Sequence, residues 1–316
     1  MAPLLAKALA PGDTIGLVSP SSHSTKPERI EQAVSYLEKQ GYRVKPSRHL
    51  NRISTDPEVA DREKLYDLHA MFGDPSVRAV ICLRGGAGAS RLLGSIDYGL
   101  IRKNPKIFVG YSDITALSLA IFSQTGLVSF SGPMLATELH DPTPCTEEHF
   151  WGMLTDPGYA QRIENCPAHR ISAIRAGAAE GPLIGGNLTM LASMVGTPYL
   201  PSLRGALLFL EDINEASYRI DRMLSQLQNA GQLEGCGGLL FGQFSSRSAE
   251  PGEEERLQRI FRYYAGRCRN TAPVASGLSY GHVPDLMTLP VGARCGMKLA
   301  EDGSLSLGST EPVIRR

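Results

Sequence analysis

The tetrapeptide Gly110-Tyr111-Ser112-Asp113 lies between the apolar run Lys106-Ile107-Phe108-Val109 and a second apolar run from Ile114 to Phe122. The first run reads as a strand and the second as a helix. A serine at such a sharp strand-to-helix turn has its hydroxyl lifted clear of the backbone, next to helix N–H groups that have no partner within the helix. That arrangement suits a nucleophile, because those N–H groups can receive the charge that attack creates. The G-x-S-x-G form of the elbow requires a second glycine where this chain has Ile114, so that pattern is not matched. A purely structural role, with Ser112 or Asp113 capping the helix, stays open on these four residues.

A serine hydroxyl is a weak nucleophile unless a base lies within hydrogen-bond reach and a carboxylate orients that base. The best-placed histidine is His282, in the Gly- and Pro-containing loop Ser276-Gly277-Leu278-Ser279-Tyr280-Gly281-His282-Val283-Pro284-Asp285. A loop of this kind can be shaped toward a neighbouring element. Glu211 ends the apolar strand Ala206-Leu207-Leu208-Phe209-Leu210, where a carboxylate can face a crevice, and Glu215 is a competing carboxylate four residues on. Each residue also has a plain reading, His282 as an exposed loop histidine and Glu211 as a solvated strand end.

The elements that must position these residues follow from the alternation along the chain. From Thr14 to about Pro133, β-rich runs (Thr14 to Val18, Tyr42 to Lys45, Ala79 to Leu83, Lys106 to Val109, Leu127 to Phe130) alternate with helical stretches at Pro27 to Gln40 and Asp56 to Phe72. This is the pattern of a parallel sheet with helices on its faces. Ligands in such sheets sit beyond the carboxyl ends of the strands. Three loops fall at that edge: Ser19-Pro20-Ser21-Ser22, Arg84-Gly85-Gly86-Ala87-Gly88 and Tyr111-Ser112-Asp113. Residues 136–170 read as a connector containing a short helix around Glu147 to Leu154. Beyond it, strands at Ala206 to Leu210, Gly237 to Phe241, Met297 to Leu299 and Ser304 to Leu307 mix with helices at Asn187 to Val195, Tyr218 to Asn229 and Glu253 to Ala265, and Glu301-Asp302-Gly303-Ser304 reads as a hairpin turn. The expectation is an α/β chain with an amino-terminal parallel-sheet domain (1–135), a connector (136–170) and a mixed carboxy-terminal α/β domain (171–316) with a β-barrel-like sheet.

Bulk composition narrows the function classes. Lys plus Arg and Asp plus Glu both number 32, which leaves no net field to attract nucleic acid or anionic lipid. No run of about 18 apolar residues occurs, so no membrane partner is expected. The opening Met1 to Ala10 makes a poor secretory signal, with its only lysine inside the apolar stretch, and the expected location is intracellular. The six cysteines (Cys82, Cys145, Cys166, Cys236, Cys268, Cys295) form no C-x-x-C pair and read mostly as buried thiols, while the seven histidines have no metal-ligand spacing. Neither a metal nor a cofactor is expected.

Six ordered blocks carry a family resemblance: Cys82-Leu83-Arg84-Gly85-Gly86; Gly110-Tyr111-Ser112-Asp113; Gly132-Pro133-Met134; Ile184-Gly185-Gly186-Asn187-Leu188; Leu210-Glu211-Asp212 with Tyr218 to Leu224; and Gly281-His282 with Leu289-Pro290-Val291-Gly292. In order and spacing they resemble the LD-carboxypeptidases of peptidoglycan recycling. The resemblance implies a metal-free serine peptidase in which Ser112 is the nucleophile, His282 the base and Glu211 the acid. It also implies a cytoplasmic homodimer that releases the terminal D-alanine of a murein tetrapeptide. The backbone N–H groups of Asp113 and Gly86 are the expected oxyanion donors. Arg84, with Gly85, is the expected contact for the substrate carboxylate, although Arg84 could equally be structural. Two positions depart from the family pattern: Ala87 replaces an aromatic residue common after the double glycine, and Ile213-Asn214 replaces Val-Gly. Relatives that confer immunity to microcin C, which cleave a peptide-nucleotide or related conjugate, supply a second enzymatic reading. A non-catalytic binder with a phosphate on Arg84 to Gly88 is a third, but that loop lacks the spacing of the known phosphate-binding motifs.

Overall fold

The computed structural model describes residues 3–245 and 252–316. Met1 and Ala2, at the start of the segment read for a signal, lie outside the described residues.

Five parallel strands make most of the first sheet: β1 (Thr14–Val18), β2 (Arg43–Pro46), β3 (Val77–Cys82), β4 (Ile107–Val109) and β5 (Ser129–Ser131). Their spatial order is β2-β1-β3-β4-β5. Strands β1, β4 and β5 are buried along their whole length, as expected where helices cover both faces of a parallel sheet. The covering helices are α1 (Pro27–Lys39), α2 (Pro57–Gly73), α3 (Tyr98–Lys103) and α4 (Thr115–Thr125). Local chemistry sets their starts. Pro27 and Pro57 sit in first turns, where a missing N–H does no harm, and the Asp56 carboxylate accepts the amides of Glu58 and Val59.

Helix α4 carries buried residues on every side, so it has no polar face. It packs against β5 and also against elements of the carboxy-terminal half, which explains why its sequence lacks amphipathic spacing. The elbow at its start therefore lies where the two halves meet.

Helix α5 (Pro144–Thr155) follows, capped by Thr143. The second sheet comprises β6 (Ser172–Arg175), β7 (Gly177–Asn187), β8 (Leu207–Ile213), β9 (Gly238–Ser245), β10 (Val274–Ser276), β12 (Arg294–Leu299) and β13 (Leu305–Ser309). The remaining strand of this half, β11 (Leu289–Val291), joins the first sheet instead, antiparallel to β5. The second sheet runs β13-β12-β7-β8-β9-β10-β6, parallel from β7 to β10 and antiparallel at both ends, and curls into a half-barrel. Helices α6 (Leu188–Ser193), α7 (Ser217–Asn229) and α8 (Glu253–Ala265) complete the α/β fold.

Strands β7 and β11 are absent from the sequence reading for physical reasons. Strand β7 is rich in glycine, a poor strand former, because neighbouring backbone leaves no room: a Cβ on Gly181 or Gly185 would lie 1.9 Å from the carbonyl oxygen of Gly205 or Phe209. Strand β11 contains Pro290, which a sheet accepts at its edge. Most of the cysteines are buried thiols, as expected, and the other two are paired. Cys82, Cys236, Cys268 and Cys295 are buried thiols, but Cys145 and Cys166 form a disulfide, a pairing of two distant residues that no local spacing announces.

Candidate active site

Ser112 follows β4 after Gly110 and Tyr111 and opens a 3-10 turn, Ser112–Ile114, that leads into α4. Its φ of 62° is a left-handed value uncommon for a residue with a side chain, the local strain expected where a turn must project one hydroxyl. Neither Ser112 nor Asp113 caps the helix. The Asp113 carboxylate instead accepts the Ser21 hydroxyl at 2.6 Å and the Ala89 amide at 2.9 Å. It thereby binds together the three loops that the sequence places at the carboxyl edge of the sheet.

The glycine-rich loop packs onto the serine itself. A Cβ on Gly85 would sit 2.8 Å from Ser112 Cβ and 2.9 Å from its Oγ. Gly86, at φ 128°, would collide with Ser22, whose hydroxyl accepts the amide of the exposed Ala87. We expect Gly85→Ala to displace the serine hydroxyl and lower kcat/KM about 100-fold. A melting curve beside the kinetics checks that the fold survives.

His282 reaches the serine from the other half of the molecule. Its Nε2 lies 3.1 Å from Ser112 Oγ, and its Nδ1 lies 2.8 Å from Glu211 Oε2. The three side chains thus form one unbroken hydrogen-bonded chain. Glu211 is fully buried, whereas 18% of the His282 side chain is exposed, so only the serine end of the chain faces outward. Gly281, at φ 134°, lets the histidine loop settle on Glu211, because a Cβ there would meet Glu211 Cβ at 3.1 Å. Glu215 takes no part; it pairs with Arg219 at 3.2 Å.

Strand register holds Glu211 in place. Asn187 and Glu211 are paired positions on β7 and β8, and a register shift between Leu210 and Asp212 re-aims the end of β8. The Asn187 amide donates to Glu211 Oε1 and to Asp212 Oδ1, both at 3.1 Å, while its own N–H donates to Thr115 at the start of α4. Asp212 also accepts both the amide and the hydroxyl of Thr189. Burial raises the pKa of Asp212 and the Glu211 charge adds to the rise, against the bonds from Thr189, Ile213 and Asn187.

The other face of His282 rests on the Tyr111 ring, with centroids 4.9 Å apart. The Tyr111 hydroxyl donates to Glu138 Oε1 at 2.7 Å. For His282, burial lowers the pKa, but the hydrogen bond and charge of Glu211, with the charges of Glu138 and Asp212, outweigh it and the net shift is upward. A raised histidine pKa favours the protonated form, which cannot accept a proton from serine. Activity that depends on neutral His282 should therefore fall as pH drops through a value above the ~6.5 of an ordinary histidine. Glu138→Gln removes one of the charges responsible, so its kcat/KM profile should show the acid limb displaced to lower pH.

Asn187, Asp212, Tyr111 and Glu138 escaped the sequence reading as site residues, although Asn187, Asp212 and Tyr111 lie inside the quoted blocks. Arg84 is half-buried: one terminal N–H donates to the His23 carbonyl, and Nε is buried without a partner among the described residues. Asn214, where the family commonly has glycine, adopts φ 61°, a conformation that asparagine tolerates better than most residues, so the departure keeps the turn.

Comparison with known proteins sets this geometry in a family. The LD-carboxypeptidase N-terminal domain matches residues 15–132, and the LD-carboxypeptidase C-terminal domain matches residues 180–297. The chain belongs to the LD-carboxypeptidase family. A probable murein peptide carboxypeptidase of Bacillus subtilis (strain 168) is 40% identical over 98% of this chain and 96% of its own length. Among solved structures, a muramoyltetrapeptide carboxypeptidase from Oxalobacter formigenes superposes with a TM-score of 0.81 at 32% identity, covering 95% of this chain and 99% of the other. An MccF-like protein from Bacillus anthracis (strain Ames) superposes with a TM-score of 0.85 at 29% identity, covering 98% and 99%. The chain is thus a serine-type carboxypeptidase of this family, which removes the non-catalytic reading of the glycine-rich loop. Among the described residues, no helix is long and apolar enough to cross a membrane.

Proposed function

We propose that this LD-carboxypeptidase releases the terminal D-alanine of a murein tetrapeptide through a Ser112–His282–Glu211 triad and an acyl-enzyme. The observation that carries the reading is the continuous chain of bonds from Ser112 Oγ through the imidazole to a sealed carboxylate. Glu211, accepting at Nδ1, selects the tautomer that leaves Nε2 free to take the serine proton. Ser112 Oγ then attacks the carbonyl carbon of the scissile amide. The oxygen that becomes negative is held by the N–H groups of Asp113 and Gly86, neither of which has a protein acceptor among the described residues. Protonated His282 gives its proton to the departing amine of D-alanine, and a water activated by the same nitrogen hydrolyses the ester.

Gly85, lacking a side chain, lets the glycine-rich loop lie directly against Ser112 and bring the Gly86 N–H beside it. Arg84, half-buried in the glycine-rich loop with one terminal N–H on the His23 carbonyl, supplies through its guanidinium the charge-assisted contact for the terminal carboxylate. Arg84→Met should then raise KM more than it lowers kcat.

The likeness to the MccF-like protein favours a second reading, in which a peptidyl-nucleotide is cleaved by the same three residues. One assay separates the two. L-Ala-D-Glu-diaminopimelate-D-Ala and a peptidyl-nucleotide are offered in parallel, and released D-alanine and nucleotide are measured. The proposal predicts D-alanine release that is lost in Ser112→Ala; cleavage of the nucleotide conjugate alone would refute it.

A further inference from the structure

The loop that carries His282 is held on both flanks by residues next to the disulfide. On one side of the histidine, Asn165 Oδ1 accepts the Ser279 amide at 2.7 Å, and Asn165 Nδ2 donates to the Gly277 carbonyl at 3.3 Å. On the other side, Thr146 Oγ1 donates to the Pro284 carbonyl and accepts the Leu286 amide, both at 2.8 Å. Asn165 precedes Cys166 and Thr146 follows Cys145, so the two anchors are joined covalently by the Cys145–Cys166 bond, which closes 21 residues of sequence. The Ser279 hydroxyl donates to the Asp285 carbonyl across the neck of the loop, and Gln243 on β9 holds its middle through the carbonyls of Tyr280 and Leu278. The ends of the loop run into β10 and β11, and its middle is tied to the second sheet through Gln243 and the Leu278 amide on the Phe241 carbonyl; the Thr146 and Asn165 contacts are the ties linked through the disulfide.

We propose that Thr146 and Asn165 are positioning residues for His282, and that the Cys145–Cys166 bond between their neighbours is a redox-responsive clamp on the loop spanning 277–286. The proposal rests on the reading of His282 as the base. Cys145 is half-buried and Cys166 buried, so Cys145 is the side from which a dithiol reductant approaches. A dithiol thiolate attacks Cys145 Sγ, the sulfur–sulfur bond breaks and Cys166 leaves as a thiolate that takes up a proton. The second thiol of the reductant then displaces Cys145, so the reductant becomes a disulfide and two protein thiols are formed. With that link open, α5 and the Asn165–Cys166 segment can separate, and the histidine loses its fixed distance to Ser112.

The test uses the full chain, oxidised and after treatment with dithiothreitol. Amide hydrogen exchange is read at Ser279 and Leu286, and kcat and KM are measured for D-alanine release. Reduction is expected to speed exchange at both amides and to lower kcat about 10-fold with KM little changed. The Cys145→Ser/Cys166→Ser variant should match the reduced enzyme and ignore the reductant. Oxidised Thr146→Val should show the same loss of kcat, which Thr146→Ser, keeping the hydroxyl, restores. Equal exchange and equal kcat in the two redox states, or six free thiols in protein purified without reductant, would overturn the clamp. Faster exchange with unchanged kcat would overturn the positioning role. If no D-alanine is released in either state while the exchange contrast persists, the clamp stands and the substrate assignment fails.

Discussion

Ser112→Ala is expected to lower kcat by a factor on the order of 10⁶ while leaving the fold intact. The side chain is half-buried, and its only side-chain hydrogen bond among the described residues is the one to His282. Its removal therefore leaves no buried polar group stranded and opens no core cavity. The strain at φ 62° belongs to the backbone and persists with alanine, so thermal melting should stay close to that of the parent. Single-turnover kinetics give the size of the loss, and substrate affinity measured on the inactive variant should be retained, because the loops proposed to receive the peptide are unchanged.

Glu211→Gln is expected to lower kcat about 10⁴-fold, a smaller loss with a different cause. A glutamine in the same place can still accept from Asn187, but it can offer His282 Nδ1 an N–H. The imidazole would then hold its proton on Nε2, the nitrogen that must accept from Ser112. Stability should move the other way. Glu211 and Asp212 are adjacent buried carboxylates, and the raised pKa of Asp212 means that folding disfavours its ionised form. That cost is present above the folded pKa and is relieved as pH falls through it. Neutralising Glu211 removes one source of the cost at neutral pH, so the variant should melt no lower than the parent, and higher if the repulsion outweighs the change in hydrogen bonding. A large loss of activity together with a large loss of stability would point to a structural role for Glu211 instead.

Both expectations concern residues that were legible in the sequence because each ends an apolar run or sits in a glycine-bearing loop. Strand β1 and helix α8 are legible to their last residues, the first through an unbroken β-rich run and the second through strong amphipathic spacing after an acidic first turn. The contacts around the site are less so, because they depend on register between distant strands. Asn187 reaches Glu211 only because β7 lies beside β8, and β7 is a strand whose glycines answer to the close approach of its neighbour rather than to strand preference. Glu138 reads as an ordinary loop acid until the fold sets it under the Tyr111 hydroxyl. The same holds for Thr146 and Asn165, whose partners lie more than a hundred residues away.

The proposed mechanism makes the Ser112 hydroxyl, activated by His282 and Glu211, the attacking group. Covalent labelling with a fluorophosphonate, followed by peptide mapping, tests it most directly. A single adduct on Ser112 is expected, formed far more slowly in His282→Ala and absent in Ser112→Ala, with D-alanine release disappearing in proportion to the label. An enzyme that releases D-alanine at full rate with Ser112 unlabelled, or that carries its adduct on another residue, would contradict it.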